Sequence, residues 1–278
     1  MTKTTNFSER PLGRYVHHDP RSLQYPYLLE PTATVASVKH TRYIPVLDQG
    51  NLGSCTGNAT VGALGTGDFY ATIPAGTSLD ETLAVKIYEK ATTLDNVPGS
   101  YPPTDTGSSG LAVAKAAQGF GFISGYQHAL NTTAALAALA AKPIIVGVNW
   151  YEGFDRPDSS GHVSISGSVR GGHEFVLDEL NVEGSYVGAT NSWGTTYGEK
   201  GRFFFSFDAL DQLLSEQGDA TVFVENTSPT PTPVPIPVDD PDQVLYNETQ
   251  AWAYASHYFP GAKHTAKSLR DWYLAKGL

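Results

Sequence analysis

The single cysteine of the chain lies in a setting that suits a catalytic nucleophile. Cys55 ends the glycine-rich segment Gln49-Gly-Asn-Leu-Gly-Ser-Cys, and a run of small residues that predicts a helix follows it. The start of a helix favours a thiolate, because its exposed N–H groups and its dipole stabilise negative charge. Gln49 has a side-chain amide that can donate to the oxyanion of a tetrahedral intermediate, together with the backbone N–H of Cys55. A sole cysteine is more often a buried structural residue, so the flanking pattern carries this hypothesis.

A histidine and an asparagine farther along the chain can complete such a site. His173 follows Gly171 and Gly172 and precedes an apolar run that reads as a buried strand. Asn191, in Asn-Ser-Trp-Gly, can accept a hydrogen bond from His173 and fix its tautomer, while Trp193 can cover that bond. Taken alone, a histidine is usually a satisfied core or surface residue, and Asn-Ser-Trp-Gly can be only a turn.

The three segments together resemble, in the same order, the motifs of the papain and cathepsin family of cysteine peptidases, across residues 43–224. The resemblance implies that Cys55 is the nucleophile, His173 its base, Asn191 the group that orients the base, and Gln49 an oxyanion donor. It implies a thiolate–imidazolium pair. It also implies a papain-like fold with a helical lobe, a β-barrel-like lobe and an active-site cleft between them.

Several residues depart from the usual family motifs. Thr56 stands where an aromatic residue is usual, Tyr197 where a Trp is usual, and Glu174 where a small residue is usual. Leu52 replaces a cysteine, as in bacterial and phage members. The spacing from cysteine to histidine is 118 residues (173 − 55), shorter than the roughly 130 of many members. No catalytic residue is missing, so these departures bear on specificity more than on catalysis.

The order of predicted elements supports the same fold class without the resemblance. Helices are predicted at 53–71, 80–94 and 132–141, and short β-branched and aromatic runs that predict strands begin at Ile144. A helical part followed by a strand-rich part indicates an α+β fold with two layers or lobes.

Four segments are predicted along the chain. Residues 1–42 form an extended N-terminal arm, 43–227 the peptidase domain, 228–242 a proline-rich linker, and 243–278 a small helical tail that docks on the main body or on a partner. Alternating prolines favour the extended conformation of the linker.

Four residues are candidates for contact with the substrate. The segment 101–110 occupies the place of the family's glycine wall, and Gly107 and Gly110 would let a peptide backbone approach closely. Gly172 opens space next to His173, and Trp193 can cover the hydrogen bond between His173 and Asn191. A plain surface loop fits the residues of 101–110 equally well.

Composition excludes some classes of function. The formal net charge is −10, which argues against nucleic-acid binding because no basic stripe is present. We expect a soluble protein without a signal peptide, in the cytoplasm of a bacterial host or associated with a virion. We expect a polypeptide substrate, no membrane partner, and neither cofactor nor metal.

Two alternative functions remain open. One is a structural or binding protein on a papain-like scaffold, docked to a virion or another assembly through 243–278. The presence of Gln49, Cys55, His173 and Asn191 favours an active peptidase, and the two roles can coexist. The other is transglutaminase or acyltransferase chemistry, which usually has Asp in place of Asn191 as the third group.

Overall fold

The computed structural model describes residues 6–28 and 35–226 of the chain. One lobe is built from four helices: α1 (Cys55–Leu64), α2 (Phe69–Thr72), α3 (Glu81–Ala91) and α4 (Gly110–Gly119). Asp80 accepts a hydrogen bond from the N–H of Leu83 at the start of α3, and Ser109 caps α4 by accepting from Ala112.

Helix α1 is the centre of this lobe, because all of its residues are buried. Its small residues allow close packing: a Cβ added to Gly57 would lie 2.1 Å from the carbonyl oxygen of Ala84 in α3. The helix predicted at 53–71 therefore exists, but its regular part ends at Leu64. The chain then bends at Gly67, whose φ is +61°.

The other lobe is one antiparallel sheet flanked by helices α5 (Thr132–Ala141) and α6 (Phe207–Ser215). The strands are β1 (Val38–Lys39), β2 (Gly125–Ala129), β3 (Ile144–Tyr151), β4 (Val169–Asn181), β5 (Tyr186–Thr190), β6 (Arg202–Ser206) and β7 (Asp219–Val224). Their order is β2-β7-β3-β4-β5-β6, and β1 pairs with β4.

The predicted α+β fold with a helical lobe and a β lobe is confirmed. The sheet is open, since its edge strands β2 and β6 do not pair with each other in the described part of the chain. Each lobe has its own apolar core. One is formed mainly by α1, α3 and α4, and the other lies between the sheet, α5 and α6 and contains Trp150, Trp193 and Phe203.

Within the predicted N-terminal arm 1–42, residues 6–28 precede both lobes and contain two short 3-10 helices, Phe7–Glu9 and Pro20–Gln24. These residues are called the arm below. The predicted linker 228–242 and tail 243–278 lie outside the described residues. Within the described ranges, no helix is long and apolar enough to cross a membrane.

Candidate active site

Cys55 is the first residue of α1 and is wholly buried between the lobes. Backbone N–H groups of Gly13, Thr56 and Glu174 point at its sulfur. Because Glu174 directly follows His173 in β4, its contact with the sulfur places the histidine backbone beside the nucleophile.

The side chains of His173 and Asn191 are in contact, with Nε2 of the ring 2.7 Å from Oδ1 of the amide. The same Oδ1 accepts a hydrogen bond from the backbone N–H of Ser192 at 2.7 Å, which marks it as the acceptor. Nε2 therefore carries the proton. Nδ1 is left as the basic nitrogen, with no hydrogen bond to any described residue.

Two tryptophans hold the imidazole of His173 in place. The ring of Trp193 lies 4.9 Å from it at a tilt of 39°, and the ring of Trp150 lies 4.7 Å from it edge-on. Trp193 was predicted to cover this region. Trp150 was not, because nothing in the pattern of β3 distinguishes it from an ordinary core residue.

Gln49 lies next to the turn that leads into α1, and three contacts fix its side chain. Oε1 accepts from the hydroxyl of Ser192 at 2.8 Å, while Nε2 donates to the carbonyl of Leu52 at 2.9 Å. The second donor direction of Nε2 reaches the carbonyl oxygen of Pro11 in the arm at 3.3 Å.

The arm crosses the cleft as an extended strand that bonds to both lobes. The N–H of Arg14 donates to the carbonyl of Gly172 in β4 at 3.1 Å. On the other side, the N–H of Tyr15 donates to Ser108 at 3.0 Å, and the N–H of Ser108 donates to Gly13 at 2.8 Å. The cleft above the candidate nucleophile is thus filled by the chain's own backbone.

At Gly13 the arm packs tightly against the turn that precedes Cys55. A Cβ at this position would lie 1.7 Å from the carbonyl oxygen of Gly53, in the turn just before Cys55. Only glycine fits here, because any side chain would overlap backbone atoms of the opposing turn.

Burial of Cys55 and His173 beneath the arm changes the charge state expected for the two side chains. Burial raises the pKa of the Cys55 thiol to about 12, and the nearby carboxyl of Glu174 adds to the rise. Burial lowers the pKa of His173 to about 4, although Asn191 opposes that shift. Thiol and imidazole are therefore both neutral at pH 7 in the covered cleft, whereas the resemblance implied an ion pair.

Three of the four predicted substrate contacts lie along the arm. Gly107 would place a Cβ 2.7 Å from the carbonyl oxygen of Gly13, and Gly172 would place one 2.3 Å from that of Arg14. The ring of Trp193 is stacked under Phe7 of the arm, with centroids 6.0 Å apart. Gly110, at the start of α4, would place a Cβ 2.8 Å from Oδ2 of Asp219, the carboxylate that pairs with Arg14.

Sequence reasoning missed a carboxylate that supports the turn before the cysteine. Asp105 accepts a hydrogen bond from the N–H of Gly53 at 2.8 Å and another from the hydroxyl of Tyr88 in α3. That hydroxyl in turn accepts from the N–H of Gly107 at 2.8 Å. One signal was available, since Asp105 lies within the segment singled out as a groove wall.

No cluster of three or more potential metal ligands occurs among residues 6–28 and 35–226. The residues described above include groups that nucleophilic acyl transfer needs: a thiol, a ring nitrogen with an open acceptor position in the neighbouring strand, and backbone amide donors to the sulfur.

Comparisons with known proteins rest on structure. No protein-family model matches the chain, and no curated protein matches its sequence. Xylellain, a cysteine protease from Xylella fastidiosa, matches with a TM-score of 0.61 at 18% identity, over 79% of this chain and 98% of that chain. Procathepsin B from Trypanosoma congolense matches with a TM-score of 0.55 at 13% identity, over 82% and 91%. The ragweed pollen cysteine protease Amb a 11, in its proform, matches with a TM-score of 0.54 at 17% identity, over 81% and 80%. At such identities the likeness establishes the fold, and the chain therefore has the fold of the papain-like cysteine proteases that are its structural neighbours.

Proposed function

We propose that the chain is a cysteine endopeptidase that acts through Cys55, His173, Asn191 and Gln49. The observation that carries the proposal is the hydrogen bond between His173 and Asn191, which leaves the basic Nδ1 without a partner in the described chain. The next residue, Glu174, contacts the cysteine sulfur through its N–H. A histidine with a fixed tautomer, in a strand whose backbone contacts a thiol at a helix start, supports thiol activation by that histidine.

In the proposed reaction, Nδ1 of His173 takes the proton of Cys55, and the sulfur attacks the carbonyl carbon of the scissile peptide bond. The N–H of Cys55 and Nε2 of Gln49 stabilise the oxyanion that forms. The imidazolium protonates the leaving amine as the C–N bond breaks, which leaves a thioester. Water, deprotonated by His173, then attacks the thioester and releases the acid product and the thiol.

The arm makes the described structure the resting form of this enzyme. It covers the sulfur, occupies the free donor of Gln49 and fills the cleft that a substrate would need. Activity therefore requires the arm to leave the cleft, by movement or by cleavage.

Labelling and hydrolysis with the full chain test the proposal. Cys55 is the only cysteine, so one added inhibitor mass reports on that thiol alone. We expect an epoxysuccinyl inhibitor to label it and to block hydrolysis of fluorescent casein, slowly in the native chain and faster where a substitution displaces the arm. Cys55→Ala should remove the activity by roughly 10⁴-fold or more. Casein cleavage that persists in Cys55→Ala would refute the assignment, as would a displaced-arm variant that is labelled but never cleaves.

Three expectations stay predictions: a bacterial or phage origin, a location in host cytoplasm or virion, and an assembly partner bound through 243–278, which lies outside the described residues. A polypeptide substrate is proposed because a groove that accepts an extended strand of this chain by backbone pairing can accept another peptide.

A further inference from the structure

The side chain of Arg14 enters a slot formed by three neighbouring strands. Gly147 in β3 lies opposite Glu174 in β4 and opposite Asp219 in β7. Residues opposite each other in antiparallel strands share a face, so the two carboxylates flank a position that has no side chain. A Cβ at Gly147 would lie 2.6 Å from Nε of Arg14 and 2.9 Å from Oδ1 of Asp219. The guanidinium occupies the space that this glycine leaves.

Both terminal nitrogens of the guanidinium have acceptors, whereas its buried Nε has no hydrogen-bond partner in the described chain. Asp219 and Gln217 belong to the slot, and Val16 belongs to the arm itself. Nη2 of Arg14 lies 2.7 Å from Oδ1 of Asp219 and donates to the carbonyl of Gln217 at 2.8 Å. Nη1 donates to the carbonyl of Val16 at 2.9 Å. The Arg14 side chain is 0% exposed and that of Asp219 is 9% exposed, so this ion pair is shielded from water and salt.

The slot holds a second buried carboxyl group beside the Arg14–Asp219 ion pair. Burial and the neighbouring Asp219 raise the pKa of Glu174 well above its usual range. Glu174 is 1% exposed, and neither of its carboxylate oxygens has a hydrogen-bond partner in the described chain. A Cβ at Gly110 would lie 3.3 Å from Oε1 of Glu174 and 2.8 Å from Oδ2 of Asp219, so the two carboxyl groups face the same space. His128, 3.9 Å from Asp219, does not neutralise the pair, because burial lowers its pKa to about 4. Without Arg14, two buried carboxyl groups would remain with no cation.

We propose that the slot between Glu174 and Asp219 is the specificity pocket of the peptidase and selects substrates by an arginine side chain, which takes the place of Arg14. The proposal rests on the proposed function, since the pocket adjoins the sulfur through Glu174. It also explains why the family position of Glu174 holds an acid here: this residue lies next to the nucleophile on one side and to the guanidinium on the other.

Arginine is selected over other side chains by geometry and charge together. A lysine ammonium can also pair with Asp219, but it is a point charge without the planar guanidinium that fills the space left by Gly147. A neutral side chain of equal size leaves the carboxyl groups without a partner. Arg14 therefore fills the pocket in the resting enzyme, and it shows how an arginine side chain of a substrate would bind there.

Binding of a small guanidinium compound tests the pocket without any need for catalysis. In Arg14→Ala, ethylguanidine should bind saturably and raise the melting temperature, whereas the neutral isostere N-ethylurea should not. Arg10→Ala is a matched control, because Arg10 belongs to the same arm but pairs with Asp48, whose side chain is 45% exposed, and leaves no closed slot. The double variant Arg14→Ala/Asp219→Asn should lose the response. Equal responses to ethylguanidine and N-ethylurea, or an equal response in Arg10→Ala, would overturn the proposal.

Peptide selection tests the same pocket in Gly13→Ala, where the new Cβ displaces the arm and opens the cleft, and it does not depend on the folding of Arg14→Ala. In sets of fluorogenic peptides that place arginine, lysine or citrulline at each position in turn, one position should favour arginine over citrulline by roughly 10- to 100-fold in kcat/KM. Asp219→Asn in the same background should bring that ratio close to one. Cleavage without an arginine preference, or with lysine accepted equally, would refute the pocket and leave the peptidase standing. If no peptide is cleaved but ethylguanidine binds as expected, the proposed function fails and the guanidinium site remains.

Discussion

The carbonyl oxygen of Pro11 lies 3.3 Å from Nε2 of Gln49, the amide that we propose as an oxyanion donor. The other hydrogen of that amide is committed to Leu52, at 2.9 Å. The arm therefore takes the one direction in which Gln49 could serve a substrate. In the resting form, the arm blocks acyl transfer in two ways. It covers the nucleophile Cys55, and it occupies the oxyanion donor Gln49.

Replacement of Gln49 should lower the rate of the chemical step. In Gln49→Ala we expect kcat to fall roughly 10²- to 10³-fold with little change in KM, because the donor acts mainly on the transition state. Steady-state hydrolysis of a fluorogenic peptide measures the split. Ser192→Ala is the control: it removes the hydroxyl that holds Oε1 of Gln49 but leaves the donor, so its loss should be smaller. A rise in KM alone would contradict the oxyanion role.

Substitution of Gly13 should open the cleft. In Gly13→Ala, the new Cβ would lie 1.7 Å from a backbone oxygen, so the arm must move away from Cys55. We expect iodoacetamide to alkylate Cys55 much faster than in the native chain, because the thiol becomes exposed and its pKa falls from about 12. Mass spectrometry over time follows the single thiol.

Gly119→Ala is the matched control for the opened cleft, since a Cβ there would meet nothing within 4 Å. Its alkylation rate should equal that of the native chain. If Gly13→Ala also reacts at the native rate while remaining folded, the arm does not control access to the sulfur.

Loss of the Asp105 carboxylate should loosen the turn before the nucleophile. Asp105→Ala leaves the N–H of Gly53 and the hydroxyl of Tyr88 without their acceptor, at an expected cost of about 1–3 kcal/mol in the free energy of unfolding. Urea unfolding followed by tryptophan fluorescence measures it. Asp68→Ala, at an exposed carboxylate that caps no N–H group of α2, should change stability by no more than about 0.5 kcal/mol. Similar losses in both variants would contradict the role of Asp105.

His128 should make the fold sensitive to acid. Burial lowers its pKa from 6.5 to about 4, so between these values the unfolded chain binds a proton that the folded chain does not. Its contribution to stability is therefore complete above pH 6.5 and is lost as pH falls towards about 4, by roughly 3 kcal/mol in total. In His128→Gln this part of the pH dependence should disappear. Urea unfolding at several pH values checks it, and parallel curves for the two proteins would contradict it.

Prediction from sequence succeeded where local pattern and structure agree. The helix predicted at 132–141 coincides with α5, which Asn131 caps, and strands do follow from Ile144. Helices α4 and α6 were not predicted. The start of α4 lies in a segment rich in Gly, Ser and Thr that reads as a loop, and α6 follows directly on the aromatic run of β6. Burial of α4 in the helical lobe stabilises it despite its glycine ends.

By itself, the sequence determined the kinds of groups available for chemistry and their order along the chain, because motifs such as Gly-Ser-Cys and Asn-Ser-Trp-Gly are local. Only the tertiary structure decided that Arg14 lies between Glu174 and Asp219, and that Gly13 covers the sulfur. Those contacts join residues up to 205 positions apart. They depend on the register of β3, β4 and β7 and on the path of the arm, which no local pattern specifies.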